Sequence, residues 1–175
     1  MDFFTVPTLT FQALHGFLII EHGRRRILHN VTEYPTGPWI VQLREAFPEP
    51  CPYRYATLDR DGKFGKEVID LLTASGMNSK RISAECAWRN GVAERWIGSC
   101  RREFLDHAVV LSDAHLHRLI QDYIAYYHAD RTHDFLEKNS PAMRPMSCRP
   151  EPSSRLVSYP RVGGLPQRYD RRQAA

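Results

Sequence analysis

The order of strand-type and helix-type patterns is the feature of this sequence that most limits its fold. Residues 2–6, 11–21 and 24–32 are rich in aromatic and β-branched residues between turn residues, which is typical of three successive strands. Further along, helical spacing of apolar residues occurs twice with a strand-type segment after each, and two more helices follow. This βββαβαβαα order predicts an antiparallel three-strand start that continues into a five-stranded mixed sheet flanked by helices. The expected fold class is therefore α/β.

The later segments have recognisable ends. Pro48 and Pro50 end the first helix, because a residue before proline is disfavoured in the α conformation. Gly76 is expected at the left-handed position after the second helix. The expected elements after the first three strands are, in order, a helix over 36–47, a strand over 53–58, a helix over 64–76, an exposed strand over 77–83, a helix over 92–107 and a helix that starts at Ser112.

Composition places the chain among folded proteins that do not enter a membrane. Of its 175 residues, 42% are apolar, which is enough to fill the core of one domain. No apolar run approaches the ~20 residues of a membrane span, and Asp2 stands where a signal peptide would be basic. The four cysteines form no Cys-x-x-Cys pair and the eight histidines add no zinc spacing, so we expect reduced thiols. The sequence predicts a soluble cytoplasmic protein.

Charge is distributed unevenly along the chain. Residues 144–175 carry a net charge of +5, whereas residues 1–143 carry −1. Five prolines in the C-terminal segment favour an extended arm over a second globular domain. We therefore divide the chain into a core at 1–143 and a Pro/Arg-rich basic arm at 144–175. Such an arm either binds a polyanion or is a solvated tail, and composition alone leaves the two open.

The stretch from Trp88 to Trp96 predicts a short loop and a helix with one acidic side chain off its apolar stripe. The stripe consists of residues at helical spacing, namely Val92, Trp96, Ile97, Cys100, Phe104 and Leu105. At ~100° per residue, Glu94 instead shares a flank with Gly98 and Arg101. That flank offers an acid, a gap and a base one turn apart, which suits a phosphate backbone. The alternative is a solvated glutamate on an ordinary amphipathic helix.

Three carboxylates come from separate elements and can meet at one point. Asp2 opens the first strand, Asp59 ends the fourth, and Glu94 lies on a helix after 34 intervening residues. Hard divalent cations such as Mg²⁺ take oxygen ligands, and a pair of such ions can assist phosphoryl displacement. Asp61 competes with Asp59, because both side chains share a face if the strand continues. The spacing to Glu94 favours Asp59, and Asp61 before Gly62 suits a turn.

Four groups of residues together resemble a known family. They are Asp2-Phe3-Phe4-Thr5-Val6, Leu58-Asp59-Arg60-Asp61-Gly62-Lys63-Phe64, Asn90-Gly91-Val92-Ala93-Glu94-Arg95, and Tyr126-Tyr127-His128 with Arg131-Thr132-His133, Leu136 and Ser140-Pro141. Over about residues 2–145 the chain resembles the integrase catalytic core of DDE-type transposases and retroviral integrases, specifically a bacterial insertion-sequence transposase. The resemblance implies a ribonuclease-H-like fold, with cleavage and strand transfer of DNA during transposition and integration.

The resemblance also implies the site and its partners. It maps the catalytic and metal-binding triad onto Asp2, Asp59 and Glu94, with two Mg²⁺ or Mn²⁺ ions as cofactors. Similar enzymes place a Lys or Arg against DNA seven residues after the last acid. The expected DNA-binding residues are Arg95, Arg101 and Arg102. The implied partners are DNA and, for an active enzyme, further copies of the chain; no small-molecule substrate is expected.

The sequence departs from this family near its start. Relatives carry a helix-turn-helix region and several residues of strand before the first acid, whereas here Asp2 is the second residue. Similar sequences also have an aromatic residue between the equivalents of His29 and Asn30, and a second glutamine beside Gln42. We therefore expect an N-terminally truncated copy, in which Asp2 frays and a protonated Met1 α-amine opposes metal binding.

Two hypotheses of different class follow from these observations. The first is a metal-dependent enzyme that cuts and joins DNA, with its activity lowered by the short first strand. The second is a catalytically inactive transposase remnant that folds and binds DNA or a full-length relative. An added upstream strand is expected to raise the activity of the first more than any point substitution.

Overall fold

A computed structural model describes residues 1–32, 43–59, 61–82, 90–144 and 154–172, with the backbone alone at residues 29–32. Most of the helix expected over 36–47 lies outside these ranges, as do residues 83–89 and the residues around Cys148. Residues 43–45 are helical, which agrees with the end of that prediction.

The first three strands form the expected antiparallel meander. They are β1 (Asp2–Pro7), β2 (Ala13–Ile20) and β3 (Ile27–Thr32), in the order β1-β2-β3. Asp2 lies opposite Leu18 in the register, so the first residue of β1 is paired within the sheet. Side chains of β1 alternate between buried and more exposed positions, as the period of two requires.

A parallel β-α-β unit follows. It consists of β4 (Tyr55–Leu58), α1 (Lys66–Ala74) and β5 (Asn78–Arg81), and β5 is mostly exposed as predicted. Gly76 has a φ of +79° after α1. The N–H groups of Gly76 and Met77 return to the carbonyls of Thr73 and Leu72, which is the Schellman arrangement that left-handed glycines permit.

The described strands form separate sheets of three, two and two strands, where the sequence predicted one sheet of five. The three-stranded sheet and the β4–β5 sheet are adjacent, because the Met1 amine at the start of β1 donates to the Thr57 carbonyl of β4 at 2.7 Å. Within the described ranges, however, β1 and β4 do not share a hydrogen-bonded ladder. The α/β class is therefore observed, while the continuous sheet is not.

Two helices cover one face of the three-stranded sheet. Helix α2 is Gly91–Glu103, a 3₁₀ turn follows at Leu105–His107, and α3 is Asp113–Ala129. The Ser112 side chain caps α3 by accepting the His115 backbone N–H at 3.2 Å. No helix in the described part of the chain is long and apolar enough to cross a lipid bilayer.

Alternate residues of β1 and β2 pack into two different cores. On one face, Phe4 and Leu18 belong to a core with Trp96 and Tyr123 from the two helices. The Phe4 and Trp96 rings meet edge to face at 6.2 Å. On the other face, Phe17 packs with the β4–α1–β5 unit, whose buried members are Ala56, Leu58, Phe64, Val68, Leu72 and Met77. The central sheet is thus covered on both sides.

The basic C-terminal segment contains a β-hairpin, which its sequence pattern did not predict. Strands β6 (Arg155–Pro160) and β7 (Gln167–Arg172) pair antiparallel. Val162 in the connecting turn is buried in the core beside α3. Asp130 at the end of α3, with its side chain 2% exposed, pairs with Arg161 at 2.6 Å and Arg168 at 3.2 Å. Two of the arginines expected in an extended arm therefore hold the hairpin against the core.

We expect Asp130→Asn to loosen the hairpin. The substitution removes the negative charge that both arginines contact, and charge-assisted hydrogen bonds of this kind contribute about 2 kcal/mol. Tryptic cleavage at Arg155 and Arg172 should accelerate by more than tenfold, while the core remains protected. Asp122→Asn, an exposed acid on the same helix, is the matched control. Equal cleavage rates in the two variants would contradict the docking role of Asp130.

Candidate functional site

Asp2 is a buried carboxyl group at the start of β1. It is 8% exposed, although terminal residues usually fray. Its Oδ1 accepts the Phe3 backbone N–H at 2.8 Å, and its Oδ2 accepts the Asn90 side-chain amide at 3.0 Å. Asn90 is 2% exposed and lies at the N-cap position of α2, so it connects β1 to the helix that carries Glu94. The expected fraying of Asp2 is not observed.

The other two acids of the expected triad act on Asp2 through their charges. The pKa of Asp2 is raised to about 6, mainly by burial and in smaller part by the negative charges of Asp59 and Glu94. The Phe3 N–H and the Met1 amine oppose this shift. The acids next to β4 and on α2 are therefore within electrostatic range of Asp2.

Asp61 occupies a different environment from Asp59. Its Oδ2 pairs with the Lys63 ammonium at 2.7 Å, and its Oδ1 accepts the Lys63 backbone N–H at 3.0 Å. Burial alone would raise the pKa of Asp61, but these bonds to Lys63 lower it below its ordinary value. Asp61 is thus a turn residue with its own cation, which agrees with the preference for Asp59.

The three arginines expected to bind DNA lie in different environments. Arg101 donates from Nη2 to the Thr5 carbonyl of β1 at 2.8 Å, on the helix flank of Glu94. Arg102 folds over Gly98 on that flank, since a Cβ at Gly98 would lie 3.0 Å from its Nη1. Arg95 is exposed and lines a cavity with residues that follow α3. The predicted flank of Glu94, Gly98 and Arg101 is present, and Arg95 belongs elsewhere.

The donor types at the three acids suit a divalent cation, although their arrangement is not that of a closed metal site. Within the described ranges, no group of three or more His, Cys, Asp or Glu residues is arranged to hold a metal ion. The raised pKa of Asp2 nevertheless reflects burial beside two further carboxylates, a repulsion that a divalent cation would relieve. Asp2, Asp59 and Glu94 stay the predicted ligands of such an ion.

The amine of Met1 differs from its expected state. Met1 is 6% exposed, and burial lowers the pKa of its amine to about 6. The charges of Asp2 and Asp59 offset only part of that shift. Burial therefore disfavours the protonated amine that the sequence predicted beside the first acid.

A polar network that the sequence did not reveal joins α2 to α3. The Glu103 carboxylate accepts hydrogen bonds from Arg131 Nη2 at 2.6 Å and Nε at 3.0 Å. It also accepts one from the Tyr123 hydroxyl at 2.8 Å. Burial alone would raise the pKa of Glu103, but the bonds from Arg131 and Tyr123 lower it below its ordinary value. The paired fork geometry is the strong form of an ion pair. No sequence spacing links these residues, because 28 positions separate Glu103 from Arg131.

We expect Glu103→Gln to lower the free energy of unfolding by about 2 kcal/mol, because a neutral amide cannot satisfy the Arg131 fork. Tyr123→Phe should cost about 1 kcal/mol, the usual value of one neutral hydrogen bond. Urea denaturation of both variants measures these values. Glu67→Gln, an exposed acid on α1, serves as the charge-matched control. If Glu103→Gln and Glu67→Gln unfold at the same urea concentration, the network does not stabilise the helix pair.

Comparisons with known proteins bear on this arrangement. Residues 75–141, less than half of the chain, match the family model of the integrase core domain. No curated protein sequence matches the chain. In fold, the chain is similar to one in the cryo-EM structure of the simian T-cell lymphotropic virus intasome in complex with PP2A regulatory subunit B56 gamma, with a TM-score of 0.59 and 15% identity. The similarity covers 96% of this chain and 64% of that one. The family match and the shared fold support an integrase-like core in this chain.

Proposed function

We propose that this chain is the catalytic core of a DDE-type transposase that cleaves DNA strands and joins them to new DNA. In this proposal the fold is ribonuclease-H-like, with β4 and β5 extending the three-stranded sheet across β1. The enzyme works in the cytoplasm as an oligomer of this chain, as part of a bacterial insertion sequence. Asp2, Asp59 and Glu94 are the catalytic and metal-binding residues.

One observation carries the proposal. A buried aspartate at the start of the sheet has its pKa raised by burial, and the charges of two further acids add to that effect. Such a concentration of negative charge is unfavourable in a stable core and is typical of functional sites. The match of residues 75–141 to the integrase core domain adds support, because such domains are generally dependent on divalent metals.

The chain's own residues have distinct tasks in this proposal. Bound divalent ions would polarise the phosphate and lower the pKa of a water molecule. Asn90 is a positioning residue, since its amide fixes one oxygen of Asp2 and leaves the carboxylate a defined direction. Arg101 connects α2, the helix that carries Glu94, to β1 through the Thr5 carbonyl. These contacts orient the carboxylates before DNA arrives.

A second candidate function is an inactive remnant that still folds and binds DNA. The observation that favours it is the arrangement of the acids, which is not that of a metal site within the described residues. Both oxygens of Asp2 also accept hydrogen bonds from the protein itself. Such a protein would bind duplex DNA without any effect of Mg²⁺ or Mn²⁺ on the DNA.

Nicking of supercoiled plasmid distinguishes the two candidates. The transposase proposal predicts relaxed circles with Mn²⁺ or Mg²⁺, none with EDTA, and none with Asp2→Asn in either metal. Binding of a fluorescent duplex is measured on the same samples. Nicking that persists in Asp2→Asn would identify a contaminating nuclease and contradict the proposal. Duplex binding without nicking in any metal would establish the remnant instead.

A further inference from the structure

A second polar site lies beside α2. A cavity of about 270 Å³ is lined by α2, by the end of α3 with the residues after it, and by the turn between β2 and β3. Its charged lining residues are Arg25, Arg95, Arg131 and Asp134. Aromatic walls come from Trp96, Tyr127 and the 66% exposed Phe135. The space exceeds that of a single phosphate group and approaches the lower end of ordinary ligand pockets.

The cavity carries a net positive charge that comes from two of its three arginines. Arg131 is neutralised by Glu103, and Asp134 is engaged by Lys138. Burial, with the charges of Arg131 and Arg25, lowers the pKa of His133 to about 4, so its ring is neutral at pH 7. Among the described residues, no carboxylate pairs with Arg25 or Arg95. The Arg25 guanidinium lies over the Phe135 ring at 4.6 Å, which holds it beside the cavity.

Three lining residues also carry buried donors that lack an acceptor. Within the described ranges, Arg25 Nη1, Trp96 Nε1 and His133 Nε2 have no hydrogen-bond partner. His133 Nδ1 lies 3.4 Å from Arg131 Nη1, and a guanidinium can only donate, so the ring proton is on Nε2. All three groups are therefore N–H donors. A buried donor without a partner is costly, which points to an acceptor-rich ligand.

We propose that this cavity binds a phosphate group of a DNA strand, with Arg25 and Arg95 supplying the charge and the N–H groups of Trp96 and His133 donating to its oxygens. The DNA source rests on the proposed function; the phosphate chemistry rests on the cavity alone. Glu94 and Arg95 are consecutive residues of α2, so their side chains project about 100° apart around one helix. A strand that crosses α2, which is roughly 10 Å wide, contacts both sites.

Trp96 provides a direct probe of the cavity. The chain has three tryptophans, so its ¹⁵N spectrum contains three indole signals, and Trp96→Phe identifies the relevant one. Inorganic phosphate and a blunt DNA duplex are titrated separately into the wild type, Arg25→Gln and Arg24→Gln. Arg24 is the exposed neighbour of Arg25, so the two variants have the same net charge. Duplex affinity is measured in parallel by fluorescence anisotropy at several salt concentrations.

We expect the Trp96 indole signal to shift with both ligands in the wild type and in Arg24→Gln, but not in Arg25→Gln. Arg25→Gln should weaken duplex binding by about tenfold and reduce the salt slope by about one, as for the loss of one phosphate contact. Arg24→Gln should change affinity less than twofold.

The remaining outcomes separate the two proposals. Suppose that the Trp96 indole signal shifts with inorganic phosphate but the protein does not bind duplex. The phosphate site would then stand, whereas DNA as the source of the phosphate and the proposed function would both be overturned. Duplex binding with an unshifted Trp96 signal would overturn the cavity proposal and leave the proposed function intact. Equal affinities of Arg25→Gln and Arg24→Gln would also overturn it.

Discussion

Glu94→Gln should abolish metal-dependent nicking of plasmid DNA, with a rate loss of roughly 10³-fold, equivalent to about 4 kcal/mol of transition-state free energy. The change keeps the shape of the side chain but removes a charge that acts on the buried Asp2. Glu94 is exposed on α2, so its substitution should leave the fold unaffected. The rate is measured from the supercoiled fraction over time in Mn²⁺.

Matched substitutions make this prediction specific. Glu67→Gln removes one exposed negative charge on α1 and should leave the rate within twofold of the wild type. Asp59→Asn should match the loss in Glu94→Gln, whereas Asp61→Asn should not, because Asp61 is engaged by Lys63. If Asp61→Asn does not nick DNA and Asp59→Asn does, the second metal ligand has been assigned to the wrong aspartate. Wild-type rates in Glu94→Gln would remove Glu94 from the site.

Gly16→Val should lower the free energy of unfolding by about 3 kcal/mol or more, a large part of the stability of a domain. Gly16 lies opposite Phe4 in the β1–β2 register, and the Phe4 ring covers it. A Cβ at Gly16 would lie 2.2 Å from Cζ of Phe4, well inside van der Waals contact. The ring cannot move away freely, because it packs against Trp96. Urea denaturation measures the loss.

A double-mutant cycle tests whether this contact is the cause. Phe4→Leu shortens the side chain above Gly16, so it should recover at least about 1 kcal/mol of the loss in the double variant. Gly23→Ala is the control, since a Cβ there meets no atom within 4 Å. Additive effects of Phe4→Leu and Gly16→Val would show that the ring is not what excludes a side chain at position 16.

Local patterns predicted most of the elements. The helix from Ser112 was placed by its apolar spacing. Of its predicted face residues, Leu116, Ile120, Tyr123 and Tyr127 are buried and Leu119 is partly buried. The exposed strand after Gly76 and the meander before residue 33 also agree with the sequence. These features depend on neighbours within one or two turns, so periodicity and turn residues carry the information.

The C-terminal hairpin shows where such patterns fail. Prolines and arginines over 144–175 indicated an extended arm, yet Asp130 binds Arg161 and Arg168 and the hairpin packs on α3. Asp130 is more than 30 residues away from both arginines, and no local sequence pattern marks any of the three residues. Glu103 with Arg131 and Phe4 over Gly16 are likewise contacts between different elements that no local pattern predicts.

The sequence by itself determined the types and order of the described elements from β1 to α3 and the acids in or next to them, but not the C-terminal hairpin. Only the tertiary structure decided that Asp2 is buried and hydrogen-bonded to Asn90, that Asp61 is paired with Lys63, and that Arg95 lines a cavity whereas Arg101 binds the backbone of β1. The physical reason is that the direction of a side chain follows from local backbone geometry, whereas its charge state and partners depend on burial by distant segments.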